Sequence, residues 1–154
     1  MGKRCNCIVL TLYKTKIMKT HTTNYYNAFI EIAEDCKATT GEMPPVREDK
    51  KTAANIQFDM VYENPYKYTS DDVFFQVYAD KNGIKKADAK AAREQFFSKG
   101  QACFRASPLT KRYGWGVHSN EEGKIAIYAC ESPEYKKFSK DKSLQVVKAM
   151  KSSR

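Results

Sequence analysis

The sequence predicts an α+β fold: a single domain in which a small antiparallel sheet, including a hairpin at about 114–130, packs against three or four helices. Three observations carry this. A turn-rich pentapeptide separates two strand-like runs near the end of the chain. Several segments show an apolar helical stripe between capping and stop signals. The chain has 154 residues, 42% of them hydrophobic, which suits one core and argues against disorder.

The hairpin is the clearest element. Lys124–Cys130 alternates, with Ile125, Ile127 and Ala129 on one face and Lys124, Ala126 and Tyr128 on the other. Gly114–His118 reads as its partner strand, interrupted by glycine on both sides of Trp115. Ser119–Gly123 supplies turn chemistry, with Asn120 to start the turn and Gly123 free to take positive φ. Gly114 and Gly116 have two readings. They mark a close approach of another backbone or a ligand, or they allow a sharp twist that drops Trp115 into the core.

The remaining elements follow in order. Thr22–Cys36 fits helical spacing in part and strand alternation in part, and we assign a strand at about 28–33. Residues 37–51 are a loop, broken by Gly41, Pro44, Pro45 and a charge run. Thr52 caps a helix reaching about Glu63, with Ala53, Ile56, Met60 and Val61 as its buried stripe and Asn64–Pro65 as its stop. Ser70 caps a second helix with Asp71 and Asp72 in its first turn, ended by Asn82–Gly83. The acidic pair has the look of a catalytic or metal dyad. Adjacent helical residues point about 100° apart, however, and capping explains them better. A third helix is expected over 86–98, stopped by Gly100, then a short strand at 101–104. Ser132–Pro133–Glu134 starts a last helix, to about Lys140. Residues 144–150 read as a final strand.

Between the third helix and the hairpin lies the most loaded loop. Arg105, Ser107, Lys111, Arg112 and Tyr113 fall within nine residues and lead to Trp115 and His118. Arginine, lysine and hydroxyl groups together satisfy phosphate or carboxylate oxygens. The first functional reading is therefore a binding module. Arg105, Ser107, Lys111, Arg112, Tyr113, Trp115 and His118 would converge on one anion-binding cleft beside Tyr66 and Tyr68. The bland alternative is a solvated basic loop.

A second reading is nucleic-acid binding, with the hairpin as a wing and the basic C-terminal segment on phosphates. The net charge of +9 invites it. That charge sits at the ends, though: residues 1–20 carry five cations and no acid, residues 136–154 net +6, and residues 21–135 net −2. A basic face within the fold would be expected of a dedicated nucleic-acid domain. A third reading is an enzyme using Cys103 and His118, with Asp71, Asp72 or Asn120 as orienting group. No nucleophile signature surrounds Cys103, and a free cysteine is more often a small buried hydrophobe. No phosphate-cradling glycine loop and no metal-ligand spacing is present, so neither cofactor nor metal is expected. Five cysteines, no convincing secretion signal and no run long enough to span a bilayer point to a reducing, cytoplasmic setting.

The runs KGQACFRASPLTKRYGWGVHS, NPYKYTSDDV (Asn64–Val73), TNYYNAFIEIAEDC (Thr23–Cys36) and the terminal KAMKSSR resemble, in order, one family of short, mostly bacterial proteins. It is catalogued as a domain of unknown function, number six-one-five-seven. The resemblance covers about residues 18–154. It implies a domain beginning near Met18 and brings no activity, cofactor or catalytic residue. Residues 1–17, with a β-like patch at Ile8–Tyr13, are accordingly read as a basic, loosely ordered extension rather than an added edge strand.

Overall fold

The structure is a computed structural model in which residues 20–152 are described. The expected N-terminal extension lies outside the described residues. Within them the α+β arrangement holds. The elements in chain order are β1 (Ala28–Glu31), α1 (Ala53–Tyr62), α2 (Ser70–Asn82), α3 (Ala89–Phe96), α4 (Pro108–Lys111), β2 (Trp115–Ser119), β3 (Ile125–Ala129), α5 (Pro133–Ser139) and β4 (Gln145–Lys148). Short 3-10 turns at Lys86–Asp88 and Phe104–Ala106 precede α3 and α4.

The four strands form one sheet in the order β3-β2-β1-β4. β2 pairs antiparallel with both β3 and β1. β4 pairs parallel with β1, Phe29 opposite Val146. The sheet is thus mixed, which corrects the expectation of an antiparallel one. β1 is one of its two interior strands, and Ala28, Phe29 and Ile30 are buried, as both of its neighbours and both faces demand.

Local signals explain most boundaries. Thr52 caps α1 through a reciprocal box with Asn55. α2 is capped by Thr69, one residue earlier than Ser70: its side chain accepts from the Asp72 N–H while Asp72 accepts from the Thr69 N–H. Asp72 is therefore a capping group, and Arg93 pairs with it at 2.8 Å. Burial opposes its charge, but these partners outweigh that and hold its carboxyl below the ordinary value. Asp71 serves another purpose. It accepts from Thr22 Oγ1, Thr23 N and Thr23 Oγ1 at 2.6–2.7 Å, pinning the chain before β1 to α2. Gly83 closes α2 at φ 61°. Ser132 caps α5 with Pro133 in its first turn.

Three expectations differ in detail. The helix over 86–98 begins as a 3-10 turn and ends at Phe96, capped by Phe97 rather than running to Ser98 before Gly100. Residues 101–104 form no strand. The basic loop contains the single-turn α4, capped by Ser107, whose Oγ accepts from the Leu109 N–H.

One sheet face carries the main core. Ile30, Trp115, Val117, Ile125 and Ile127 meet Phe58 and Val61 of α1, Val73 of α2, Phe104 and Leu109. The other face is covered by α5. Phe29 lies edge-on to Tyr135, ring centroids 5.0 Å apart. A Cβ at Gly116 would come within 2.6 Å of both the Phe29 and Tyr135 rings. Gly114, at φ 78°, faces the Thr40 carbonyl in the same way. The close approach that glycine allows here is made by the protein's own chain, and Trp115 enters the core between the two.

Candidate functional site

β2 sorts the expected site residues onto two faces. Trp115 is buried on the helix-covered face, where its Nε1 donates to the Glu42 carbonyl at 2.8 Å and its indole meets Phe58 and Tyr62. His118, three residues on, lies on the α5 face. The single convergence expected of Arg105, Lys111, Arg112, Trp115 and His118 is not what the fold builds. Arg105 latches the C-terminal segment: its Nε donates to the Lys148 carbonyl and its own carbonyl accepts from the Met150 N–H. Ser107 is buried and donates to Gln57 Oε1 at 2.5 Å. Tyr68 and Tyr113 pack half-buried against the main core. Cys103 lies 3.9 Å from the Tyr25 hydroxyl, and among the described residues no hydrogen bond joins it to a histidine. Burial and the neighbouring thiol hold the Tyr25 hydroxyl above its ordinary value.

Lys111 and Arg112 remain together. With Lys37, Asp35 and Ser152 they line an open cleft of about 630 Å³. Its position follows from the parallel pairing of β1 and β4, which puts both C-terminal strand ends at one end of the sheet. Asp35 and Lys37 follow β1, Ser152 follows β4, and Lys111 and Arg112 close α4, which the Ala33 N–H ties to β1 through the Thr110 carbonyl. The Asp35 carboxylate accepts from the Ser152 N–H at 2.9 Å. Among the described residues none of the three cations forms an ion pair with another described residue.

The α5 face holds a second polar group. The Tyr66 hydroxyl is 2.8 Å from His118 Nδ1 and 2.9 Å from the Tyr128 hydroxyl. The imidazole stacks on Phe138 with centroids 4.1 Å apart and planes 12° from parallel. Burial lowers the His118 pKa, and the Asp141 carboxylate opposes this. Asp141 is itself held below the ordinary value by Ser143, whose N–H and hydroxyl both donate to it. Burial and Tyr128 push the Tyr66 hydroxyl well above the ordinary tyrosine value, so it stays protonated. Tyr66 occupies the left-handed region at φ 60°. That conformation costs a non-glycine residue of order 1–2 kcal/mol. Its N–H pairs with the Ile125 carbonyl at the β3 edge, which turns the phenol back over the sheet.

A family model described as a family of unknown function, DUF6157, matches residues 20–154. The chain belongs to that family. No curated protein and no solved structure matches it. The DUF6157 match begins two residues after the domain start expected from sequence, and it assigns no chemistry to any side chain.

Of the residues in the two polar clusters of this DUF6157 protein, Lys37, Tyr128 and Phe138 were not singled out by sequence. Period-two alternation does carry a usable signal: it puts Tyr128 on the opposite face from Ile125 and Ile127, and Trp115 opposite His118. Nothing local marks Lys37. Its charge run looks like any solvated loop, and the antiparallel pairing of β1 with β2, with the Ala33–Thr110 bond beyond it, brings it beside Lys111. Among the described residues, no helix is long and apolar enough to cross a membrane.

Proposed function

We propose that this DUF6157 protein is a cytoplasmic binding module that takes a small anion, carboxylate- or phosphate-bearing, in the cleft of Lys37, Lys111 and Arg112. One observation carries the reading: among the described residues, three cations from two separate segments and one carboxylate line one concavity. Cations grouped around a concavity raise the local anion concentration, and the planar arginine fork matches a carboxylate or phosphate edge. Lys111 and Arg112 belong to the loop that sequence reading chose. The reading narrows that loop to these two residues, since Trp115 is engaged in the core and His118 on the far face. The thiols of Cys36, Cys103 and Cys130 are unpaired, in keeping with a reducing compartment.

A thermal-shift titration with inorganic phosphate, sulfate and citrate tests it. A ligand at a hundred times its Kd stabilises by about 2.7 kcal/mol, which for a domain of this size raises Tm by roughly 10 °C. At least one of these anions is expected to give such a saturable rise, weakening as salt is added. The Lys111→Ala/Arg112→Ala double variant should need at least about tenfold more ligand, the loss of roughly 1.4 kcal/mol of binding. An equal response from the double variant, or none from the parent protein, overturns the proposal.

A further inference from the structure

The hydroxyls of Tyr66 and Tyr128 and the imidazole of His118 form a continuous chain of two short hydrogen bonds on the α5 face. Both ends of the chain are open. Among the described residues His118 Nε2 has no hydrogen-bond partner, and the Tyr128 hydroxyl meets only Tyr66. All three residues are half-buried.

The chain has a property that a purely structural cluster would not need. A hydroxyl both donates and accepts, so the two bonds persist in either direction. In one polarity Tyr128 donates to Tyr66, Tyr66 donates to Nδ1, and Nε2 carries the imidazole proton. In the other, Nδ1 donates to Tyr66, Tyr66 donates to Tyr128, and Nε2 presents a lone pair. No bond is lost in passing between them.

We propose that Tyr128, Tyr66 and His118 form a proton relay whose working end, His118 Nε2, exchanges a proton with a small uncharged phenol-type molecule bound at the α5 face. The step balances as follows. Nε2 takes the hydroxyl proton of the bound molecule. Nδ1 passes its own to the Tyr66 oxygen, Tyr66 passes its own to Tyr128, and Tyr128 releases one to water. The chain ends in the opposite polarity, the ligand has lost one proton, and the solvent has gained one. The same path run backwards returns it.

The surroundings select the ligand class. The groups set against the imidazole are the rings of Phe138 and Tyr66 and, through space, the Asp141 carboxylate. The Tyr128 ring lies against Phe138 as well. Aromatic walls favour a flat ring by stacking. Among the described residues the charge that acts on the histidine is the Asp141 carboxylate, which favours a ligand that arrives uncharged and separates this site from the cationic cleft. Burial keeps His118 neutral at physiological pH, as a proton acceptor requires.

The experiment uses the full chain with 4-nitrophenol, whose phenol and phenolate forms differ in visible absorbance. Its addition should shift the NMR signals of His118, Tyr66 and Tyr128 saturably. The bound dye should show an apparent pKa different from that of free dye. Both effects should vanish in His118→Gln. In Tyr128→Phe, which keeps the ring and removes only the far hydroxyl, the dye should still bind but its pKa displacement should fall at least about threefold, a change that lost packing would not give. Lys111→Ala/Arg112→Ala should leave both effects intact, so failure here and failure of the anion reading are distinguishable. An unchanged dye pKa, or a Tyr128→Phe variant behaving as the parent, overturns the relay.

Discussion

The two faces of the four-stranded sheet are covered by different chemistry. Under α1, α2 and α4 the contacts are mostly apolar: Ile30, Val117, Ile125 and Ile127 meet Phe58, Val61, Phe104 and Leu109, and the polar groups there are satisfied within the fold, the indole N–H by a carbonyl and Ser107 by Gln57. Under α5 the strands contribute Phe29, Gly116, His118 and Tyr128, and the cover is Tyr135 and Phe138. The first face gains from area removed from water. The second is thin, aromatic and hydrogen-bonded, with a titratable group in it. Stability resides mainly on one side of the strands, which leaves the other free to carry polar groups at modest cost.

Truncation on the apolar face is the strongest way to sharpen that contrast. Phe104 is 1% exposed and packs on Phe74 at 4.8 Å between centroids. Phe104→Ala should cost about 3–5 kcal/mol, measured by chemical denaturation. A loss as small as that of any single change under α5 would break the comparison. Next is Gly116→Ala. The new methyl would overlap the Phe29 and Tyr135 rings, and overpacking of this kind costs about 1–3 kcal/mol. α5 should loosen, with faster amide exchange over 133–139, while exchange in α1 stays as it was. Tyr66→Phe should follow at about 1–2 kcal/mol, because it strips His118 Nδ1 and the Tyr128 hydroxyl of their shared partner.

The smallest effect is the dependence on pH. His118 titrates below its ordinary value in the folded chain, so between that lowered value and about 6.5 the unfolded chain binds more protons. Its contribution is complete above about pH 6.5 and is lost as the pH falls towards the folded value. Denaturation midpoints from pH 7.5 to 5 should show this decline, and His118→Gln should flatten it. An unchanged slope in the variant would remove the titratable group from the account of the α5 face.

Much of the fold was legible because its signals are local. Thr52, the Asn82–Gly83 stop and Ser132–Pro133 each declare a helix end within a few residues. Asn120 and Gly123 declare the hairpin: the Asn120 carboxamide accepts from Glu122 and Lys124, and Gly123 sits at φ 80°. α4 escaped because a single turn is shorter than the period that reveals a helix. The parallel pairing of β4 escaped because register between strands more than a hundred residues apart leaves no trace in either strand. The sites divide in the same way. Lys111 and Arg112 were found as neighbours in one loop. Lys37 depends on the pairing of β1 with β2, about ninety positions apart, and the bond from Tyr66 to His118 crosses 52 positions.

The parallel pairing also has a consequence in time. A ribosome delivers the interior strand β1 more than a hundred residues before its outer parallel neighbour β4. Until the final stretch emerges, β1 keeps one side of its backbone unsatisfied, a sticky template for any passing chain. The Arg105 latch onto Lys148 and Met150 then acts as a clasp that can shut only once synthesis has run past both.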